Sequence, residues 1–338
     1  MKGQFGHGAA VCRIGFVGTG GVATRHATIL GSFDDVELVA ATDVDLARAA
    51  AFARAHGVRA VPDVAALCGL DLHAAYLGVP PSAHGAAEAE LAAAGLALFV
   101  EKPLGADQAT AEWVARRLRT TPVLTRVGHH WRCAEPVREA ARLLAGRRVR
   151  LATATWLDKV PPVPWWTDRA RSGGPIVEQA AHVLDLLRVL VGEVTSVHAV
   201  SAGPVPGGSV DAATAAVLTF ANGAVGTVTT SCVLDGKHRA GVEIVADGLV
   251  LGVGEDWLEV GGRRREFDPW TARVAADRAF VDALRGTTTP ASRRFSAGES
   301  SPSGEPLALP DHGEALRTHR LACALARSAA TGEPVTVR

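Results

Sequence analysis

Short apolar runs alternate with helix-period segments through the first third of the chain, the pattern of βα units on a parallel sheet. Val11–Val17, Val36–Thr42, Val58–Val61, Ala74–Val79, Leu96–Val100 and Val123–Gly128 read as strands, and Gly21–Leu30, Val44–His56, Pro81–Ala94 and Asp107–Arg119 as the helices between them. The crossovers are short, so the expected class is α/β with a doubly wound parallel sheet. After Cys133 the pattern changes. Helices are expected over Pro136–Leu144, Pro175–Val191 and Gly313–Ala330. Strands are expected over Arg150–Trp156, Val194–Ser201, Ala212–Phe220, Ala224–Cys232, Val242–Ala246, Leu249–Val253 and Trp257–Val260. Ala221-Asn222-Gly223 is a hairpin signal between two of them. The chain thus divides into 11–132, carrying the parallel sheet, and 133–338, an α+β domain with an open, mostly antiparallel sheet. Thr287–Pro310, rich in Ser, Thr, Gly and Pro, reads as a surface loop.

Composition narrows the function classes. Lys+Arg and Asp+Glu balance at 35 each, so no global field favours nucleic acid or an anionic membrane. No apolar run is long enough to span a bilayer. Met1–Ala10 lacks the apolar core of a signal peptide and reads as a frayed start. The five cysteines lie far apart, with no CxxC pair and no nearby His cluster, which argues against a metal site and a disulfide framework. A cytoplasmic protein is expected. Tyr76 is the single tyrosine, so a Tyr-x-x-x-Lys dyad is excluded. Only four of the 35 Lys and Arg residues are lysines (Lys2, Lys102, Lys159, Lys237), which makes each lysine worth a question.

Gly18-Thr19-Gly20-Gly21-Val22-Ala23 follows the first strand and opens the first helix, where G-x-G-x-x-G/A has meaning as a Rossmann phosphate loop. Gly18 permits the tight turn, Gly20 and Gly21 let backbone approach a pyrophosphate, and Ala23 allows close helix–strand packing. Asp43 ends the second strand, placed to accept the ribose hydroxyls of NAD, although a helix N-cap would look the same. Arg48, one turn further on, leaves NADP open.

Glu101-Lys102-Pro103 sits at the C-terminal end of a strand, which faces the ligand crevice of such a sheet. A lysine there can donate to a substrate hydroxyl or carbonyl, or it can be a surface lysine beside a turn proline. In the Pro175–Val191 helix, Glu178, His182 and Asp185 are spaced four and three, so they share one ridge. That ridge is either a solvated face or a base, His182, whose tautomer is held by Glu178 or Asp185. Trp165 and Trp166 are suited to stacking on a sugar ring or to packing. His84 either lines a nicotinamide pocket or caps a helix. His129-His130-Trp131-Arg132 joins the two domains.

Together these residues resemble the Gfo/Idh/MocA family, which includes inositol dehydrogenases and glucose–fructose oxidoreductase. The likeness runs through the Gly loop, Val79-Pro80-Pro81-Ser82-Ala83-His84, Glu101-Lys102-Pro103, Gly173-Gly174-Pro175-Ile176-Val177-Glu178-Gln179-Ala180-Ala181-His182-Val183-Leu184-Asp185 and the closing Ser328–Val335 segment. It implies an NAD(P)-dependent oxidoreductase of a sugar, cyclitol or related polyol. It maps catalysis to Lys102, Glu178 (Asp in the family) and His182, and substrate binding to Asp185; Trp165 and Trp166 are substrate-stacking candidates on the residues alone. The cofactor set is Gly18, Gly20, Gly21, Val22, Ala23, Asp43, Pro80, His84, Glu101 and Lys102. A cis Lys102–Pro103 bond and a homodimer or homotetramer are further expectations. A redox-assisted glycosidase and a non-catalytic sugar or nucleotide sensor share the architecture.

Overall fold

The computed structural model describes residues 11–286 and 307–337. The expected start at Met1–Ala10, and residues 287–306 of the expected surface loop, lie outside the described residues.

Six strands form the first sheet: β1 (Cys12–Val17), β2 (Val36–Thr42), β3 (Arg59–Ala60), β4 (Ala74–Leu77), β5 (Ala97–Val100) and β6 (Thr125–Val127). All pair in parallel, in the order β3-β2-β1-β4-β5-β6. The order reverses between β1 and β4, so a ligand crevice opens at the C-terminal ends of those strands. Every residue of β4 and β5 is buried, as a strand covered on both faces requires. The intervening helices are α1 (Gly21–Leu30), α2 (Leu46–His56), α3 (Val64–Cys68), α4 (Ala86–Ala93) and α5 (Gln108–Thr120). The segment expected as one helix over Pro81–Ala94 breaks at Gly85, whose φ of 129° is closed to other residues.

After α6 (Glu135–Leu144) the second sheet begins with β7 (Val149–Leu157). Two short helices follow, α7 (Arg169–Ser172) and α8 (Pro175–Glu178), then α9 (Ala181–Leu190). The remaining strands are β8 (Val194–Ser201), β9 (Ala213–Phe220), β10 (Val225–Ser231), β11 (Arg239–Ala246), β12 (Leu249–Val253), β13 (Trp257–Val260), β14 (Arg263–Glu266) and β15 (Val335–Thr336). Their order is β14-β13-β12-β11-β7-β10-β9-β8-β15, antiparallel except for β7 and β10. Alternating side chains of β7, β9 and β11 enter one core with α6 and α9. The opposite face is open and carries Leu151, Val200, Val217, Val225 and Val250, each at least 40% exposed.

The last two helices qualify the division at residue 132. In α10 (Pro269–Leu284), Ala276, Ala279, Phe280 and Val281 pack among Ile14, Phe16, Tyr76 and Phe99 of the first sheet. Phe280 meets Tyr76 and Phe99 edge-on, each at 5.5 Å between centroids. Helix α11 (His312–Thr331) adds Ala315 and Leu316 to the sheet's other core. The chain therefore returns to cover a face that α1 and α2 leave apolar.

Candidate active site

The glycine turn ties its first amides, Gly18 N to the Thr42 carbonyl at 2.9 Å and Thr19 N to Asp43 Oδ2 at 2.8 Å. Gly18 has φ +82°, and a Cβ there would meet the Gly78 carbonyl at 2.6 Å, whereas Gly20 and Gly21 face open space. Asp side chains cap α2, α3, α5, α7, α10 and α11. Helix α1 has neither a side-chain cap nor an acidic residue in its first turn. The first N–H groups of α1 are open to another acceptor, and a pyrophosphate fits them. Ala23 is buried against the strand and Val22 is exposed, as the loop's geometry demands. Asp43 stands beside the turn, accepting from Thr19 N at 2.8 Å and Asp45 N at 2.9 Å. Arg48 also grips it, Nη2 to Oδ1 at 2.7 Å. Burial alone would raise the Asp43 carboxyl, but Arg48 and the backbone amides hold it down to about 2. Asp45, not Asp43, caps α2.

Across the crevice, β5 ends in Glu101-Lys102-Pro103 with the Lys102–Pro103 bond cis. Half-buried Lys102 directs Nζ to the Glu178 carbonyl and to Glu178 Oε1, both at 2.9 Å. Glu101, expected among the cofactor contacts, turns its side chain the other way. Its carboxylate lies under Gly128, where a Cβ would come within 2.6 Å of Oε1, and accepts from His26 Nε2 at 2.8 Å. The other nitrogen of His26 meets Asp277 of α10 at 2.7 Å. Burial opposes charge on this imidazole, yet Asp277 and Glu101 together raise it to about 9. His26 is thus a buried cation between two carboxylates, tying α1, β5 and α10 together. Pro80 is half-buried at the end of β4. His84 also departs from its expected place: its side chain is 0% exposed and bonded to Glu88 at 2.5 Å, so it shapes the start of α4 from beneath.

The expected Pro175–Val191 helix is interrupted. Gln179 N and Ala180 N both bond the Pro175 carbonyl at 2.9 Å, the second spanning five residues, and α9 starts afresh at Ala181. Such a widening turns the following residues out of the 3.6-residue register. Glu178 and His182 therefore do not share a ridge. Glu178 joins Lys102 and accepts from Trp166 Nε1 at 2.7 Å. His182 stacks on Trp131 at 5.3 Å and 7° and meets His130 edge-on at 4.8 Å. Among the described residues no carboxylate bonds it, and its Nδ1 is buried without a partner. Burial first, then the nearby His130, Lys102 and His129, hold His182 well below the ordinary histidine value. The solvated-face alternative fails as well, since α9 is buried from Ala181 through Arg188.

Asp185 is engaged elsewhere. It is 1% exposed and takes Arg132 in a two-pronged pair at 2.6 Å, with Thr318 at 2.9 Å. Burial would raise its carboxyl, but Arg132 and His129 hold it well below the usual range. With its oxygens so occupied it braces α9 against α11. Trp166 is 0% exposed, so it positions Glu178 and presents no face to a sugar; half-buried Trp165 packs beside Val205 and Val210. Lys102, Glu178 and His182 do come together, beside the crevice. Sequence reasoning missed His26, Asp277 and the ring platform of Trp131. The run His129–Arg132 was the available signal for the last, because three ring residues and an arginine in succession seldom all face solvent.

Comparison with known proteins agrees with this construction. Residues 12–129 match the model of an oxidoreductase family with an NAD-binding Rossmann fold, and residues 140–249 match the GFO/IDH/MocA C-terminal domain. Inositol 2-dehydrogenase of Rhizobium meliloti is 29% identical over 187 residues, 54% of this chain and 55% of that protein. Trans-1,2-dihydrobenzene-1,2-diol dehydrogenase of Oryctolagus cuniculus is 28% identical over 183 residues, 52% of this chain and 56% of that protein. The matches span about half the length of the curated relatives. The WlbA dehydrogenase of Bordetella pertussis, solved with NADH and UDP-GlcNAcA, superposes with a TM-score of 0.82 at 21% identity, covering 97% of this chain and 99% of that one. With both family models matched in order over most of its length, on a sheet and crevice of the corresponding architecture, the chain belongs to the GFO/IDH/MocA family of oxidoreductases.

Proposed function

We propose that this chain is an NAD-dependent dehydrogenase or reductase acting on a secondary hydroxyl or ketone of a sugar, cyclitol or related polyol. The observation that carries the reading is the pairing of unlike neighbours in one crevice. Lys102 is paired with Glu178, Nζ to Oε1 at 2.9 Å, while burial holds His182, which no carboxylate bonds among the described residues, well below the ordinary histidine value. A substrate hydroxyl between them would give its proton to His182, and Lys102 would donate to the oxygen as negative charge develops. Bound nicotinamide supplies the hydride acceptor, or the donor in the reverse direction. Glu178 orients Lys102, and Trp166 orients Glu178. The uncapped amides of α1 and Asp43 would hold the pyrophosphate and the adenosine ribose.

The test follows NADH absorbance with a panel of neutral and acidic polyols and sugars, with products identified. Free sugar without net NADH would favour the glycosidase, and NADH binding without turnover of any member would favour a sensor. Asp43, carrying negative charge against a 2′-phosphate, supports NAD over NADP. Its pair with Arg48 tempers that preference, so kcat/KM with both cofactors decides it. The open face of the second sheet, with its exposed Val and Leu side chains, supports a homo-oligomer in which a second copy covers that face. Light scattering at micromolar concentration should return a multiple of the 35.0 kDa chain, and a monomer mass would remove this part.

A further inference from the structure

The basic side chains nearest His182 are each met by a carboxylate, with one exception among the described residues. Lys102 meets Glu178 at 2.9 Å, Arg132 meets Asp185 at 2.6 Å, and Arg273 meets Glu255 at 2.6 Å. Lys237, in the turn between β10 and β11, is exposed and makes no ion pair among the described residues. Its Nζ lies 5.2 Å from the Trp156 ring centroid and 5.7 Å from that of Trp131. These are the two indoles stacked with His182, at 6.3 and 5.3 Å. Lys237 therefore stands at the rim of the site that holds the base. We propose that Lys237 is a specificity-determining residue, binding an anionic substituent, carboxylate or phosphate, on the polyol whose hydroxyl lies between His182 and Lys102. This inference rests on the dehydrogenase reading and narrows its substrate class.

Three physical points support it. The indole faces attract the ammonium and restrain it over the site without neutralising it, so its charge remains to be met. A carboxylate or phosphate meets it through a charge-assisted hydrogen bond, which a neutral hydroxyl cannot equal. The residue type also differs from the chain's habit. Where cations cover other indoles they are arginines: Arg239 and Arg264 on Trp257, and Arg117 on Trp113. Over Trp131 and Trp156 the chain places one of its four lysines, a compact point charge that can turn three donors toward an anion.

The experiment measures kcat/KM with NAD for myo-inositol and D-glucose as neutral probes, D-gluconate and D-glucuronate as carboxylates, and D-glucose 6-phosphate as a phosphate. In parallel, quenching of bound NADH fluorescence reads binding of the same probes where turnover is slow. An anionic probe should exceed the neutral ones by about ten-fold or more, equivalent to about 1.4 kcal/mol. The carboxylate and phosphate arms tell the two sources apart. Lys237→Met should erase that preference and Lys237→Arg should restore most of it, and added salt should weaken the anion alone. An anion preference unchanged in Lys237→Met, or a wild-type preference for the neutral probes, would overturn the proposal while leaving the dehydrogenase reading intact. Anion binding lost in Lys237→Met, with no NADH formed from any probe, would support the cation site and fail the dehydrogenase reading instead.

Discussion

Replacing His26 by Phe removes the cation from a buried chain of three charges and keeps roughly the ring's volume. Asp277 and Glu101 then remain, their side chains 0% and 9% exposed, with Arg25 3.7 Å from Glu101. Removing one partner of a buried ion pair costs about 3–5 kcal/mol, a large share of the roughly 5–15 kcal/mol that holds a domain together. The pH dependence identifies the cause. His26 is raised from 6.5 to about 9 in the fold, so its stabilisation is complete below the unfolded value and is lost as pH rises through the folded one. A shift of that size corresponds to about 3 kcal/mol. Urea unfolding followed by circular dichroism at pH 6 and pH 9.5 should therefore show a wide gap between wild type and His26→Phe at the lower pH and a narrower one at the higher. A gap below about 1 kcal/mol at pH 6, or one that does not change with pH, would refute the buried imidazolium.

Three further outcomes concern the crevice. His182→Ala should lower kcat by about 10²–10⁴-fold with NADH affinity little changed, and activity equal to wild type near neutrality would return this residue to a packing role. Lys102→Arg should fail nearly as badly as Lys102→Met in single-turnover hydride transfer, because a planar fork cannot reproduce one ammonium bonded to both the Glu178 carbonyl and its carboxylate. NADH binding by fluorescence should survive in both variants, and recovery of most of the rate by Arg would reduce Lys102 to an electrostatic anchor. Gly18→Ala should weaken NADH binding, since the new methyl meets the Gly78 carbonyl at 2.6 Å in a backbone held at φ +82°; unchanged binding would show that the turn can relax.

What was legible in the chain follows the range of the interactions concerned. Strands β1 and β2 and helix α1 could be read because their signals are local: apolar runs, a Gly turn and a helix period. Helix α10 went unread although Asp268-Pro269 announced it, an N-cap followed by a first-turn proline. Its buried face is built largely from Ala272, Ala276 and Ala279, too small to stand out as an apolar stripe. The division at residue 132 missed the same helix's packing on the first sheet. His26 and Asp277 lie 251 positions apart, and no periodicity relates residues that only the tertiary fold brings together. Likewise, Arg132 was visible as a residue of the interdomain joint, but not as the partner that occupies Asp185.

The break in the Pro175–Val191 segment carries the largest chemical consequence. An unbroken helix would set Glu178 and His182 one turn apart, and a carboxylate beside the imidazole would favour its charged form. A base already protonated at neutral pH cannot accept the substrate's proton. The wider turn at Gln179–Ala180, with the Gln179 side chain bonded to the Lys159 carbonyl at 3.0 Å, separates the two. Glu178 is delivered to Lys102, with which it pairs at 2.9 Å, while His182 is delivered to Trp131, which offers a ring and no charge. One crevice thereby holds an amine paired with a carboxylate and an imidazole lowered by burial, unlike environments of the kind that acid–base work at one pH requires. Spacings of four and three along the sequence picked out Glu178 and His182 as neighbours, and the fold pairs Glu178 with Lys102 instead. One additional residue in the turn rotates every side chain after it by about 100°.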